Sequence, residues 1–351
     1  MAEAVLAPLA AKDARRRTVD RVFLGALLFS SSLTAYWLFL LATGGSSAFF
    51  KDYRGDLKHL GGVIGFFVFF WVVWGFAWLG IKTLLLKYFV GFSKEDRRRA
   101  YSSRRDGRFD VADFTARYSE RRIRIADMIG RRGRFGTMAL SGFFVLYWNL
   151  ASQPEARFAT AFLADNLLDA VVMSWLFLGF YYVEGFLGAA VYGPQSRVMD
   201  GVLARANCLL INTLWAAFKF VMVPIGTRMA AIYPSREFAP LYALIWGSYI
   251  VSDASSEIIG SLFGKQKLKV WGMGDVNRKS IAGTVACFAS SLLFCLWIVS
   301  ANGLAPAWIA LAILISISNT AFELFSPRGT DDFTMTVANA LICWAFGAWL
   351  Y

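Results

Sequence analysis

Residues 252–284 read SDASSEIIGSLFGKQKLKVWGMGDVNRKSIAGT, an acidic start followed by a basic, glycine-rich end. Asp253 and Glu257 are four residues apart, so their carboxylates share one face if this segment is helical. Such a pair of oxygen ligands suits a hard cation such as Mg²⁺. The basic half, which includes Lys265 and Lys279, is suited to bind phosphate. The stretch therefore indicates a metal held beside a polyphosphate.

Long apolar segments flank this stretch on both sides. Of the 351 residues, 57% are hydrophobic and 17% are aromatic, and apolar runs of about 20 residues, the length that spans a bilayer, recur along the chain. We predict an all-α, polytopic transmembrane helical bundle of about nine spans. The predicted spans are 22–42, 60–84, 136–150, 158–191, 203–223, 238–251, 281–299, 306–321 and 335–350.

The longest polar segment, residues 93–134, carries fourteen Lys or Arg residues against seven Asp or Glu residues. The positive-inside rule places it in the cytoplasm. Apolar residues within it recur at helical spacing and predict one amphipathic helix, which lies along the lipid headgroups or packs on the protein itself. These residues are Val111, Phe114, Tyr118, Ile125 and Ile129.

The order of the spans predicts which polar regions share a side of the membrane. With a cytoplasmic N-terminus, residues 93–134, 252–284 and 323–334 all fall on the cytoplasmic face, of either a bacterial inner membrane or the endoplasmic reticulum. We divide the chain into residues 1–135, with anchor spans and the basic loop, and residues 136–351, a membrane-embedded catalytic domain. The catalytic motifs are then 252–284 and 323–334.

Several classes of function are disfavoured by the composition. The net charge of +12 resides in loops between apolar segments, which is typical of cytoplasmic loops rather than of nucleic-acid binding. His59 is the single histidine, and the four cysteines lack metal-site spacing. Lys265 is followed by Gln266, where a Walker phosphate loop requires Ser or Thr.

Short motifs in the last 110 residues or so occur in a characteristic order. They are Ser252-Asp253 with Ser255 and Glu257; Phe263-Gly264-Lys265; Asn277-Arg278-Lys279-Ser280 with Gly283; and Glu323 with Gly329, Asp331-Asp332 and Thr334. This combination resembles the CTP-dependent lipid kinases (dolichol kinase, phytol kinase and the CTP-using diacylglycerol kinase), which are relatives of phosphatidate cytidylyltransferase. Two positions depart from the family pattern: Phe333 replaces an Asn, and Ser252 replaces a Gly.

The resemblance implies a cytoplasmic-face site for CTP and Mg²⁺ that phosphorylates the hydroxyl of a polyprenol, a prenol or diacylglycerol. Asp253, Glu257 and one of Asp331 or Asp332 are expected to hold Mg²⁺. Either Glu323 or Asp332 is expected to accept the proton of the alcohol. The expected nucleotide-binding residues are Gly264, Lys265, Asn277, Arg278, Lys279, Ser280 and Gly283.

Two alternatives to a kinase stay open at this stage. A cytidylyltransferase would attack the α-phosphate of CTP with a lipid phosphate, and the arginine-rich segment 93–134 suits such an anionic acceptor. A lipid transporter or a non-catalytic lipid-binding protein would explain Asp165, Asp169 and Lys219 within apolar segments, but it would leave the ordered motifs without a role.

Overall fold

A computed structural model describes residues 57–101, 111–152, 222–270, 277–326 and 330–351, with isolated positions between 25 and 36 and Val198. The described part is mostly helical. Its α-helices are α1 Leu57–Leu84, α2 Lys94–Tyr101, α3 Val111–Arg117, α4 Glu120–Ser152, α5 Met222–Ile232, α6 Phe238–Tyr242, α7 Ser248–Phe263, α8 Ile281–Ala301, α9 Ala307–Phe325 and α10 Asp331–Leu350. A π-helical turn, Leu85–Val90, extends α1; a 3₁₀ turn, Ser235–Glu237, precedes α6; and a second π-helical turn, Ala243–Gly247, joins α6 to α7.

Four helical stretches among the described residues are long and apolar enough to cross a membrane: Val72–Val90, Ile281–Ala301, Ala307–Phe325 and Asp331–Leu350. They correspond to the predicted spans 60–84, 281–299, 306–321 and 335–350. The chain is therefore a helical membrane protein. The predicted total of nine is not established, because span 158–191 and nearly all of spans 22–42 and 203–223 lie outside the described residues.

The predicted third span, 136–150, forms the second half of α4 and does not meet the same length and apolarity criteria in the described structure. At 33 residues and about 1.5 Å per residue, α4 exceeds the thickness of the bilayer core. Its charged first half can therefore extend beyond the apolar second half. The predicted domain boundary at 135/136 lies inside this continuous helix, and the division into two domains stays a prediction.

The single amphipathic helix predicted around residues 111–129 is replaced by two helices, since α3 ends at Arg117 and α4 begins at Glu120. Arg117 and Tyr118 both donate hydrogen bonds to the buried carboxylate of Asp96 on α2. The rings of Phe114 and Tyr118 also pack on Phe92, with centroid distances of 5.0 and 4.6 Å. These contacts turn the chain at the end of α3 and hold it against the protein.

A short antiparallel hairpin departs from the all-α expectation. Strand β1, Lys267–Val270, pairs with β2, Asn277–Ser280, so that Lys267 faces Ser280 and Lys269 faces Arg278. Ser280 then caps α8, because its Oγ accepts a hydrogen bond of 3.1 Å from the backbone N–H of Gly283. The hairpin thus delivers the basic motif to the beginning of a membrane helix.

A buried polar network connects the helices that carry the acidic motifs. Asn319 on α9 donates to Ser248 on α7 and Ser291 on α8, each at 2.9 Å, and accepts from Asn339 on α10 at 2.8 Å. All four side chains are fully buried. Hydrogen bonds between membrane helices favour one mutual arrangement. Since Asn319 lies one turn before Glu323, this network helps to fix where the carboxylates meet.

Candidate functional site

A cavity of about 440 Å³ lies where α7, α8, α9 and α10 meet α4 and the hairpin. Six acidic and five basic side chains contribute to its lining, so the charges nearly balance. The lining residues are Glu120, Arg124, Asp127, Met128, Arg131, Arg132, Asp253, Ser256, Glu257, Gly260, Ser261, Gly264, Lys267, Lys279, Ser280, Gly283, Thr284, Glu323, Leu324 and Asp331.

Three carboxylates from three helices converge in this cavity. Asp253 of α7, Glu323 of α9 and Asp331 of α10 each offer an oxygen within 4.8 Å of the others, and we call them the carboxylate trio. Glu323 Oε2 is buried and has no hydrogen-bond partner in the described part of the chain. Three close oxygen donors, one of them unsatisfied, fit a hard divalent cation such as Mg²⁺.

Lys279 and Ser256 hold the other oxygen of Glu323. Lys279 Nζ donates to Glu323 Oε1 at 2.6 Å, and Ser256 Oγ donates to the same atom at 3.0 Å. Burial by itself lowers the pKa of Lys279, but the carboxylates of Glu323 and Asp331 outweigh it and raise the pKa above its ordinary value. Lys279 is therefore a permanent positive charge beside the trio at neutral pH.

Arg132 of α4 supplies a second cation, and its side chain is buried. Its two terminal nitrogens donate to the two oxygens of Asp253, one of them at 2.9 Å, and its Nε contacts Glu257. Arg131 lies at 3.6 Å from the same Glu257 oxygen. Burial opposes the charge on Arg132, but Asp253 and Glu257 outweigh that effect and raise its pKa. The Asp253/Glu257 pair thus lies on one helix face, as its spacing predicts, and binds arginine.

Glycines at three positions let the backbone of α7, the residue after it and the first turn of α8 come close to Ser280. A Cβ atom added to Gly260 would lie 2.8 Å from Ser280 Oγ, and one added to Gly283 would lie 2.7 Å from the carbonyl oxygen of Ser256. A Cβ at Gly264 would also meet Ser280, at 2.5 Å from its Oγ. Real Cβ contacts are not this short, so these positions require glycine for α7, α8 and the hairpin to pack.

The structure brings most of the residues predicted from sequence together in this cavity. They are Asp253, Glu257, Gly264, Lys279, Ser280, Gly283, Glu323 and Asp331. Lys265 is exposed and lies outside the lining, and the side chains of Asn277 and Arg278 lie outside the described residues. Glu257, which was predicted as a metal ligand, lies outside the carboxylate trio and pairs with arginine, and its role as a ligand stays a prediction.

Of the two candidate ligands Asp331 and Asp332, only Asp331 belongs to the carboxylate trio, and the choice between them as metal ligands stays a prediction. Asp332 lies outside both the trio and the cavity lining, and its Oδ1 accepts a 2.8 Å hydrogen bond from the N–H of Phe333. Arg132 lines the cavity, but the spacing of residues in the sequence did not identify it as a site residue. It is one of fourteen basic residues in its segment, and nothing in that pattern distinguishes it from the others.

Together, the fold and the cavity define a helical membrane protein with a buried carboxylate and cation site at the ends of its helices. The chain is similar to a phytol kinase from Synechocystis sp., with 29% identity over 119 residues that cover 32% of this chain and 47% of that protein. The similarity thus spans about half the length of that relative. No protein-family model and no solved structure matches the chain.

The different positions of Asp331 and Asp332 generate a direct test of the carboxylate trio. We expect Asp331→Asn to weaken Mn²⁺ binding to the purified protein by about 10–100-fold, because it removes a charged oxygen ligand. The neighbouring Asp332→Asn serves as the matched control and is expected to leave the affinity unchanged. Electron paramagnetic resonance of unbound Mn²⁺ measures both. Equal losses for the two variants would contradict the assignment.

Proposed function

We propose that this chain is a CTP-dependent kinase that transfers the terminal phosphate of CTP to the hydroxyl of a membrane lipid. The observation that carries the proposal is the carboxylate trio, which lies beside Lys279 and Arg132 in a cavity at the ends of apolar helices. The similarity to a phytol kinase supports a lipid acceptor. The resemblance of the ordered motifs to CTP-dependent lipid kinases supports CTP as the donor.

Phosphoryl transfer requires mainly positioning and charge neutralisation from the protein. Asp253 and Asp331 would hold Mg²⁺, which when bound neutralises charge on the phosphates, and Glu323 lies beside them outside the ligand set. Lys279 adds a fixed positive charge at the same place. Ser280 and the backbone at the beginning of α8 offer hydrogen bonds to phosphate oxygens at a helix N-terminus.

Glu323 is the better placed of the two predicted proton acceptors, because it lines the cavity and Asp332 does not. The lipid hydroxyl oxygen would form a bond to the γ-phosphorus, the bond from that phosphorus to the bridging oxygen would break, and CDP would leave. Glu323 Oε2, which is free of hydrogen bonds among the described residues, would take the hydroxyl proton. The acceptor class is a polyprenol, a prenol or diacylglycerol.

A cytidylyltransferase is a second candidate, because the cavity carries positive charge on its α4 and hairpin walls. Arg124, Arg131 and Lys267 line the cavity in addition to Arg132 and Lys279. An anionic lipid phosphate would need such additional charge, whereas a neutral alcohol would not. In that reaction the lipid phosphate would attack the α-phosphorus of CTP and release pyrophosphate.

CTP labelled at either the α or the γ phosphate distinguishes these reactions. With purified protein, Mg²⁺ and a membrane lipid extract, we expect the γ label to appear in the lipid fraction and the α label to remain in CDP. Transfer of the α label would instead establish the cytidylyltransferase, and transfer of neither label would contradict both proposals.

The same assay measures variants of the trio. Asp253→Asn is expected to reduce the transfer rate by orders of magnitude, since it removes charge from the centre of the site. The exposed carboxylate of Asp113 on α3 lies outside the cavity lining, so Asp113→Asn is the matched control and is expected to retain activity.

The proposal requires the site to face the cytoplasm, where CTP is present. Gln266, beside the hairpin, and Arg121, on the basic half of α4, are both exposed. Single cysteines at these two positions, in a background that lacks Cys208, Cys287, Cys295 and Cys343, are expected to react with a membrane-impermeant maleimide from the cytoplasmic side. Labelling of either position from the opposite side would contradict this orientation.

A further inference from the structure

We propose that Arg132 is the positioning residue of the cation site: its guanidinium holds Asp253 in the orientation that completes the carboxylate trio. The inference rests on the proposed function in that Asp253 and Asp331 of the trio are taken to bind a divalent cation. It assigns a role to α4, which lies outside the predicted catalytic motifs 252–284 and 323–334.

Arg132 and Asp253 form a buried ion pair rather than a surface one. Its side chain is 6% exposed, and that of Asp253 is 8% exposed. The planar guanidinium binds both oxygens of Asp253, while its Nε contacts Glu257 one helical turn further along α7. This fork fixes the plane of the Asp253 carboxylate, and a single ammonium group cannot reproduce it.

Asp253 takes part both in the ion pair with Arg132 and in the carboxylate trio. It accepts hydrogen bonds from Arg132, and one of its oxygens lies within 4.8 Å of oxygens of Glu323 and Asp331. Its orientation therefore determines which of its lone pairs face the other two carboxylates. A buried ion pair is weak support for stability, because apolar residues of the same size often serve as well. Side chains that orient metal ligands, by contrast, commonly change metal affinity or activity 10–100-fold when they are replaced.

The test compares Mn²⁺ binding by the full-length protein, without nucleotide, in Arg132→Lys and Arg132→Gln. We expect both variants to bind Mn²⁺ about 10–100-fold more weakly than the wild type. The Mg²⁺ concentration for half-maximal transfer is expected to rise by a similar factor, with little change in KM for CTP. Arg121→Gln, an exposed arginine on the same helix, is the control and is expected to match the wild type.

Arg132→Lys keeps a buried positive charge, so it carries the test even if Arg132→Gln fails to fold. Wild-type Mn²⁺ affinity in Arg132→Lys, with or without a lower Tm, would overturn the inference and leave Arg132 as a structural ion pair. Absence of Mn²⁺ binding by the wild type would also overturn it. If the wild type binds Mn²⁺, Arg132→Lys weakens that binding, and no phosphate is transferred from CTP, the inference stands and the proposed function fails.

Discussion

The pairing of buried and half-buried carboxylates with the cations of Arg132 and Lys279 is the constraint on which the rest of the structure depends. Asp253, Glu257, Glu323 and Asp331 lie together where apolar helices end, and charges in such a place are costly unless they are compensated. Arg132 and Lys279 supply that compensation through direct contacts. Removing either cation would leave carboxylates buried beside one another, so the site needs both the helix and the strand that carry them.

The remaining architecture serves to place these six charges. Helix α4 is long enough to span most of a membrane and still bring Arg132 to α7. The hairpin carries Lys279 to Glu323 and ends in Ser280, which caps α8. Deeper in the bundle, Asn319 of α9 forms hydrogen bonds with side chains of α7, α8 and α10. Glycines around Ser280 allow the close approach that these contacts require.

Local patterns in the sequence were sufficient to predict the four long apolar helices of the described structure and eight of the residues that line the cavity. The i, i+4 spacing placed Asp253 and Glu257 on one helix face, and apolar length located the spans at 281–299, 306–321 and 335–350. Arg132 could not be predicted in this way, because it meets Asp253 across 121 residues. The hairpin was missed because four alternating residues are a weak signal. Spacing alone could not separate Asp331 from Asp332, whose side chains leave α10 in different directions.

The central claim is that Asp253 and Asp331 of the carboxylate trio bind the same cation as the phosphates of CTP. Pulsed electron paramagnetic resonance of purified protein loaded with Mn²⁺ and CTP tests this claim directly, because phosphorus hyperfine coupling appears only when phosphate oxygens bind the ion. After unbound Mn²⁺ and CTP are removed, we predict such coupling in the wild type and its loss in Asp331→Asn. Protein-bound Mn²⁺ without phosphorus coupling, or coupling that persists unchanged in Asp331→Asn, would contradict the account.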